Sequence, residues 1–158
     1  MLEAFCCADT DVPWEAEVER YIRASIVDWA FDAFARKQDP RVLLVFARKE
    51  LVGVAAHERC TLQYGEEAPF AASKLEVVAV ARAWQARRFE GGERVSDVVM
   101  SAVMADVTNR VPPRDRRVFA VVHEKNLRSI ELCRRHGFIE ELSRPHPSYR
   151  RLVTEHRR

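Results

Sequence analysis

The chain has few cysteines, no long apolar run and no visible targeting segment. Its four cysteines form neither a CxxC nor a Cys/His ligand spacing, so the sequence supports neither a metal site nor a disulfide framework. The longest unbroken apolar run, Val42 to Ala47, is far short of the roughly 20 residues that a membrane-spanning helix needs. The start, MLEAFCCADTD, is acidic and lacks the basic region of a secretory signal. We therefore expect a soluble, cytoplasmic protein with no metal and no membrane partner.

The composition is that of a folded protein, with 47% apolar and 32% charged residues among 158. No repeat or linker is visible, which predicts one domain over residues 1–158. The net charge of +2 argues against a dedicated nucleic-acid-binding protein. Residues 1–109 are nevertheless net acidic and residues 110–158 net basic. The basic part is either a solvated surface or a site for an anionic ligand.

Hydrophobic periodicity predicts alternating strands and helices in the first half of the chain. We expect a strand at Met1 to Ala8, then one amphipathic helix or two short ones from Pro13 to before Asp39-Pro40. A β-hairpin, a loop and a buried strand should follow; these are Arg41 to Ala47 with Leu51 to Leu62, then Gln63 to Ala72, then Lys74 to Ala81.

The second half repeats the alternation. A helix at Val95 to Arg110 should be stopped by Pro112 and Pro113. The remaining elements are a strand at Arg117 to Val122, a helix at Asn126 to His136 that ends at a left-handed Gly137, and strands at Phe138 to Leu142 and Tyr149 to Val153. This order predicts an α+β (mixed α/β) fold with a central twisted mixed sheet of six to seven strands flanked by helices.

The segment KLEVVAVARAWQARRFEGGERVSDVVM reads as a strand, a loop and a helix N-terminus. A helix N-terminus offers free backbone N–H groups to an anion, and Arg82, Arg87 and Arg88 could pair with phosphate oxygens. Gly91 and Gly92 allow a close approach of the backbone. The alternative is an ordinary turn with solvated arginines. The segment VFAVVHEKNLRSIELCRRHGF places a second helix N-terminus, capped by Asn126, after a neighbouring strand.

The pattern N-x-x-S-x-x-L-C-x-x-x-G-F at Asn126 to Phe138 resembles the N-x-x-A-x-x-L-Y-x-x-x-G-F motif of the GCN5-related N-acetyltransferases (GNAT). Val78-Ala79-Val80 is similar to the L-A-V stretch of that family, and Gln85 stands where its Q/R-x-x-G-x-G/A loop begins. The resemblance covers roughly residues 40 to 143. It implies a GNAT-like fold and transfer of an acetyl or other acyl group from acyl-CoA to an amine by direct attack.

The resemblance also implies how acetyl-CoA would be held. Val78 and Val80 would present backbone groups to the pantetheine, in a strand that splays from its neighbour near Ala120 to Val122. The loop from Gln85, with Arg87, Arg88, Gly91 and Gly92, would hold the pyrophosphate, and Asn126 and Ser129 would contact the pantetheine or the thiol end. Counted from Gln85, however, the two glycine positions of the family loop are Arg88 and Glu90.

Acyl transfer needs a deprotonated amine, a stabilised oxyanion and a protonated leaving thiolate. Glu76 and His123 are the candidate bases, with Glu124 a third, although water could also carry the proton. Many family members use a Tyr as acid seven residues after the motif Asn, and that position is Cys133 here. Cys133 is either that acid or a core residue, and Tyr149 is a possible substitute.

The sequence leaves the acceptor and the assembly open. The acceptor is an amine of unknown identity, free or linked to RNA, and the closing strands could form a homodimer. The competing function is a catalytically inactive GNAT-like module that senses CoA or binds a protein.

Overall fold

A six-stranded sheet in the order β1-β2-β3-β4-β6-β5 organises the chain. The computed structural model describes residues 1–9, 11–63, 68–112, 116–141 and 146–154. Its strands are β1 (Arg41–Ala47), β2 (Glu50–Leu62), β3 (Phe70–Val80), β4 (Val118–His123), β5 (Phe138–Glu140) and β6 (Tyr149–Thr154). Its helices are α1 (Pro13–Ala24), α2 (Ile26–Ala35), α3 (Val95–Arg110) and α4 (Leu127–Arg135), with 3₁₀ turns at Leu2–Ala4 and Arg82–Trp84. Within these ranges, no helix is long and apolar enough to cross a membrane.

The predicted α+β class and mixed sheet are confirmed. β3 and β4 run parallel, and every other described strand pair is antiparallel. The parallel pair is joined through α3, which is the crossover that parallel strands require. α4 ends as predicted, because Gly137 adopts a φ of 81°, a left-handed conformation that glycine accepts at no steric cost.

Two boundaries predicted from the sequence are wrong. Met1 to Ala8 is not a strand: Leu2–Ala4 forms a 3₁₀ turn, and the N–H groups of Cys7 and Ala8 donate to the Glu19 carboxylate instead of to a strand. β3 begins at Phe70, inside the predicted loop of residues 63–72, because Phe70 pairs with Leu62 and extends the hairpin. Residues 64–67 of that loop, together with residues 113 and 142, lie outside the described residues.

The sheet separates two apolar layers. One lies between the sheet and helices α3 and α4, and includes Val52, Leu75, Val99, Val103 and Leu152. The other lies on the opposite face, under α1 and α2, and includes Ile22, Ile26, Val54, Val77 and Ala79. The sheet therefore presents two distinct faces, an α1 face and an α3 face.

A bulge in β3 opens the sheet at its centre. Ala56 pairs with Val77 but His57 pairs with Leu75, so Glu76 is an extra residue in β3. β3 and β4 pair only over residues 73–75 and 118–120. Since a bulge bends its strand, β3 leaves β4 beyond Leu75, and a gap opens between the two strands toward their carboxyl ends.

Candidate functional site

The gap between β3 and β4 is the centre of the candidate site. Beyond the Leu75–Ala120 pair, the edge of β3 that faces β4 has no strand partner in the described structure. Val78 and Val80 lie on this part of β3, and their side chains pack against the α3 layer. The two side chains are thus used in packing, and the Val80 carbonyl accepts a hydrogen bond from Gln85 Nε2. Backbone N–H and C=O groups in such a place need a partner, which a bound amide can supply.

The loop after β3 folds into a small hairpin. Arg88 and Arg94 form an antiparallel bridge, and the Gly92 N–H donates to the Phe89 carbonyl. Gly92 has a φ of 86°, so glycine is needed there for the turn. Gly91 and Gly92 lie at the exposed tip of the hairpin. This arrangement differs from a glycine cradle that touches the helix N-terminus.

Some of the backbone donors at the start of α3 already have partners. The N–H group of Val95 donates to the Arg87 carbonyl, and those of Asp97 and Val98 donate to the Arg94 carbonyl. The Val98 bond is the ordinary first bond of the helix, so two of the roughly four N–H groups that a helix leaves unsatisfied at its N-terminus, those of Val95 and Asp97, have partners here. An anion at this place would use side chains beside the remaining backbone donors.

Two arginines of the hairpin, Arg87 and Arg88, offer positive charge to an anion at this place. The Arg87 guanidinium lies 5.6 Å from the centre of the Trp84 ring, a cation–π contact. The Arg88 guanidinium donates to the Gly92 carbonyl within the hairpin. Both side chains are exposed and remain accessible to phosphate oxygens.

The Gln85 side chain already makes hydrogen bonds within the protein. Its Nε2 donates to the Cys7 carbonyl at 2.6 Å and to the Val80 carbonyl at 3.3 Å. Its Oε1 accepts from Arg128 Nη1 at 3.2 Å. Gln85 therefore ties the N-terminal segment, the end of β3 and the first turn of α4 together. No sequence pattern marks Arg128 as part of the site, because its contact with Gln85 spans 43 positions.

The first turn of α4 is capped as predicted. Asn126 Oδ1 accepts from the Ser129 N–H at 3.1 Å. Seven residues on, Cys133 lies in the α3 layer with Ile130 and Phe138, and only 3% of it is exposed. Burial raises the pKa of the Cys133 thiol to about 11. These surroundings favour the core interpretation of Cys133 over the acid interpretation.

Glu76 lies in a polar cluster on the α1 face. Its Oε2 is 2.6 Å from Lys74 Nζ. Burial, together with the carboxylates of Glu76 and Glu58, raises the pKa of Tyr21 on α1. Burial also raises the pKa of Glu58 despite the charge of Lys74, and Glu58 Oε2 has no hydrogen-bond partner among the described residues. No sequence pattern points to Tyr21, Glu58 and Lys74, because the β2–β3 register and the packing of α1 on the sheet bring them together.

His123 ends β4 among aromatic rings. It stacks on Trp14 of α1, with the centroids 5.1 Å apart and the planes 6° apart. Tyr149 of β6 meets it edge-on at 5.3 Å. The neighbouring Glu124 donates its N–H to the Ser148 carbonyl, which continues the pairing of β4 with β6. Tyr149 therefore lies at the carboxyl end of β4, where the gap opens.

The described residues contain no group of three or more His, Cys, Asp or Glu side chains that could hold a metal ion. Of the predicted site residues, Glu76, Val78 and Val80 lie on β3, and His123 and Asn126 lie at the end of β4 and the start of α4. The hairpin with Arg87, Arg88 and the two glycines stands beside them, before α3. Cys133 is separated from this set by its burial.

Solved structures share this fold. No protein-family model matches the chain, and no curated protein matches it. A protein of Desulfovibrio desulfuricans assigned to the GNAT family superposes with a TM-score of 0.60 at 18% identity, over 91% of this chain and 82% of that one. The PaiA N-acetyltransferase of Thermoplasma acidophilum, in complex with coenzyme A, gives 0.58 at 10% identity, over 94% and 80%. A variant of the AtaT toxin, bound to acetyl-CoA and the C-terminus of the antitoxin AtaR, gives 0.57 at 13%, over 97% and 85%. The likeness confirms the predicted GNAT-like fold.

Proposed function

We propose that this protein is an N-acyltransferase that moves an acetyl or other acyl group from acyl-CoA to an amine by direct attack. The observation that carries the proposal is the gap at Glu76, where β3 parts from β4 and the starts of α3 and α4 follow the two strand ends. An extended amide-bearing chain fits between two parted strands, because their backbone groups can replace the missing strand pairing. Acetyl-CoA has such a chain in its pantetheine.

The pyrophosphate of acetyl-CoA would lie against the hairpin before α3. Arg87 and Arg88 are exposed there, and the N–H groups of Val95 and Asp97 at the start of α3 already have partners. Guanidinium groups bind phosphate oxygens in a bidentate way, so these two side chains would supply most of the binding energy. Asn126 and Ser129 would contact the pantetheine from the start of α4. The whole site would belong to one domain over residues 1–158.

In the reaction, the amine nitrogen bonds to the thioester carbonyl carbon, the carbon–sulfur bond breaks, and sulfur keeps the electron pair and takes a proton from water. Glu76 is the candidate that would receive the proton of the amine, directly or through water. The Glu58 and Glu76 carboxylates and the Tyr21 hydroxyl give the α1 face a polar, acidic character suited to an ammonium group. An acceptor linked to RNA would instead use the basic last third of the chain and would bind with steep salt dependence.

The competing function is a module that senses CoA or binds a protein without catalysis. One observation favours it: α2 exposes Val27, Phe31 and Phe34, which are 53%, 71% and 73% exposed, along one side. Exposed apolar residues that recur at i, i+4 and i+7 form a stripe that a partner helix or a second copy could cover. Transfer activity in the assay below separates the two functions.

The first experiment is calorimetric titration with acetyl-CoA. The wild type, the double variant Arg87→Ala/Arg88→Ala and the control Arg20→Ala/Arg36→Ala are compared; the control removes the same charge from α1 and the end of α2. We expect the first double variant to bind about 10- to 100-fold more weakly and the control to bind as the wild type does, because two exposed arginine–phosphate contacts would together contribute about 1.5–3 kcal/mol.

A screen of amines with detection of the released thiol then tests transfer. Wild-type protein that does not bind acetyl-CoA at about 1 mM, a concentration that reveals even weak sites, overturns the proposal. Binding without thiol release from any amine favours the CoA-sensing module.

A further inference from the structure

One nitrogen of the His123 ring is committed to the backbone. Nδ1 accepts the N–H of Lys125 at 3.2 Å. A nitrogen that accepts a hydrogen bond carries no hydrogen of its own, so the neutral ring has its hydrogen on Nε2. The other ring nitrogen of His123, Nε2, is thus a hydrogen-bond donor and not an acceptor.

Packing holds the ring in this orientation. Trp14 covers one face of the ring nearly in parallel, and Tyr149 meets it at 82°. Tyr149 is itself met edge-on by His146 and pairs with His123 in the β4–β6 register. With contacts from α1, β6 and the following turn, the ring cannot turn over without breaking the Lys125 hydrogen bond or the Trp14 stack. The titratable groups beside it are Tyr149, His146 and Glu124.

His123 and Glu76 lie on the same face of the sheet, on the two strands that part. Val122 packs against the α3 layer, so His123, the next residue, points to the α1 face, where it meets Trp14. Glu76 lies near Tyr21, which is on α1 as well. Trp14 and Tyr21 are seven positions apart, on one side of that helix, so α1 crosses the gap from β4 to β3.

We propose that His123 donates its Nε2–H to the carbonyl oxygen of the acyl thioester and stabilises the oxyanion that forms there. This role rests on the proposed function. The ring keeps its hydrogen throughout; the electron pair of the broken carbon–sulfur bond goes to sulfur, and the proton of the amine leaves to Glu76 or water. A base would need a bare nitrogen facing the amine, but the bare nitrogen of His123 faces the Lys125 N–H. The base role that the sequence suggests for His123 is therefore replaced by a donor role.

Two substitutions separate a donor from a base. His123→Gln keeps an N–H group near Nε2 but cannot act as a base, and His123→Ala removes both properties. We expect kcat of His123→Ala to fall about 100- to 1,000-fold, the loss typical of a missing oxyanion donor. His123→Gln should stay within about tenfold of the wild type, and both variants should keep their KM for acetyl-CoA. The control His136→Gln, at the end of α4, should match the wild type.

A second measurement determines which nitrogen of the His123 ring carries the hydrogen. Nitrogen NMR of the wild-type protein should show that the neutral form of the His123 ring carries its hydrogen on Nε2 and has a bare Nδ1, and the opposite tautomer overturns the proposal. Equal loss in the Gln and Ala variants of an active, folded enzyme overturns this role and leaves the proposed function intact. Wild-type protein that releases no CoA with any amine overturns both.

Discussion

Arg128 and Gln85 join the two walls of the gap: the Arg128 guanidinium on α4 donates to the Gln85 side chain after β3 across 3.2 Å. Arg128 also lies 3.8 Å from Glu15 on α1. Under the proposed function, a pantetheine chain that runs from the gap to the hairpin would meet these contacts and would have to displace them.

Breaking this bridge should therefore favour binding. We predict that Arg128→Ala binds acetyl-CoA about two- to fivefold more tightly than the wild type, since a hydrogen bond of this kind contributes about 0.5–1 kcal/mol. Calorimetry measures the change. Arg134→Ala, on the same helix but outside the gap, is the control and should bind as the wild type does. Weaker binding by Arg128→Ala would mean that this cation contacts the ligand instead of obstructing it.

The second prediction concerns Cys133. Because its thiol is buried in the α3 layer, Cys133→Ala should lower the free energy of unfolding by about 1–2 kcal/mol through the cavity it leaves, while kcat stays within about twofold. Urea unfolding and the thiol-release assay measure the two effects. In the folded protein, a thiol reagent should modify the exposed Cys6 first and leave Cys133 unmodified. A large loss of kcat with normal stability would restore the acid interpretation.

How much of this architecture the sequence predicts depends on the range of the contacts. Local signals, namely hydrophobic periodicity and capping residues, predict the β1–β2 hairpin and the helices α3 and α4. They also predict the end of α4 at Gly137. The N-terminal segment could not be predicted, because Glu19, on the following helix, satisfies its N–H groups where a neighbouring strand would otherwise do so. The family resemblance points to the loop at Gln85, but the glycines there make a hairpin tip.

In the candidate site, too, the features that depend on long-range contacts could not be predicted from the sequence. Glu76 and His123 could be named from their places on two strands, but the tautomer of His123 depends on a turn and on rings from α1 and β6. The cluster of Tyr21, Glu58 and Lys74 depends on the register of β2 with β3, which a bulge shifts by one residue. No pattern in the sequence marks that bulge.

The third prediction concerns the packing of α3 on β2 at Gly53. A Cβ added at Gly53 of β2 would collide with Val99 Cγ2. Gly53→Ala should therefore push α3 outward and cost about 1–3 kcal/mol of unfolding free energy, as overpacking does. Gly91→Ala is the matched control, because its Cβ would meet only the movable end of Glu93, at 3.0 Å. Equal unfolding midpoints for the two variants would contradict this packing.

The last prediction concerns the pH dependence of stability at His57. This side chain is 2% exposed, and its Nε2 lies 2.8 Å from Asp106 Oδ2, while Arg110 donates twice to the same carboxylate. Burial lowers the pKa of His57 despite the Asp106 carboxylate, so the folded state holds the ring neutral. Partial burial acts to raise the pKa of Asp106, but the hydrogen bonds from His57 and Arg110 outweigh it and the pKa is lowered.

The direction of the pH dependence follows from proton binding in the folded and unfolded states. As pH falls below about 6.5, the ordinary histidine pKa, the unfolded chain takes up a proton at residue 57 that the folded chain refuses, so stability decreases down to the folded pKa. Asp106 adds stability above its unfolded pKa, near 4, and this is lost only as pH falls through its lower folded value. Between about pH 7.5 and 5.5 the His57 contribution therefore dominates this pair, with a slope of at most about 1.4 kcal/mol per pH unit.

Urea unfolding across that range should show a shallower decline for His57→Gln than for the wild type, with His146→Gln, at an exposed position, declining as the wild type does. Parallel curves for His57→Gln and the wild type would mean that His57 takes up its proton at the same pH in the folded and unfolded states, which would contradict the lowered pKa.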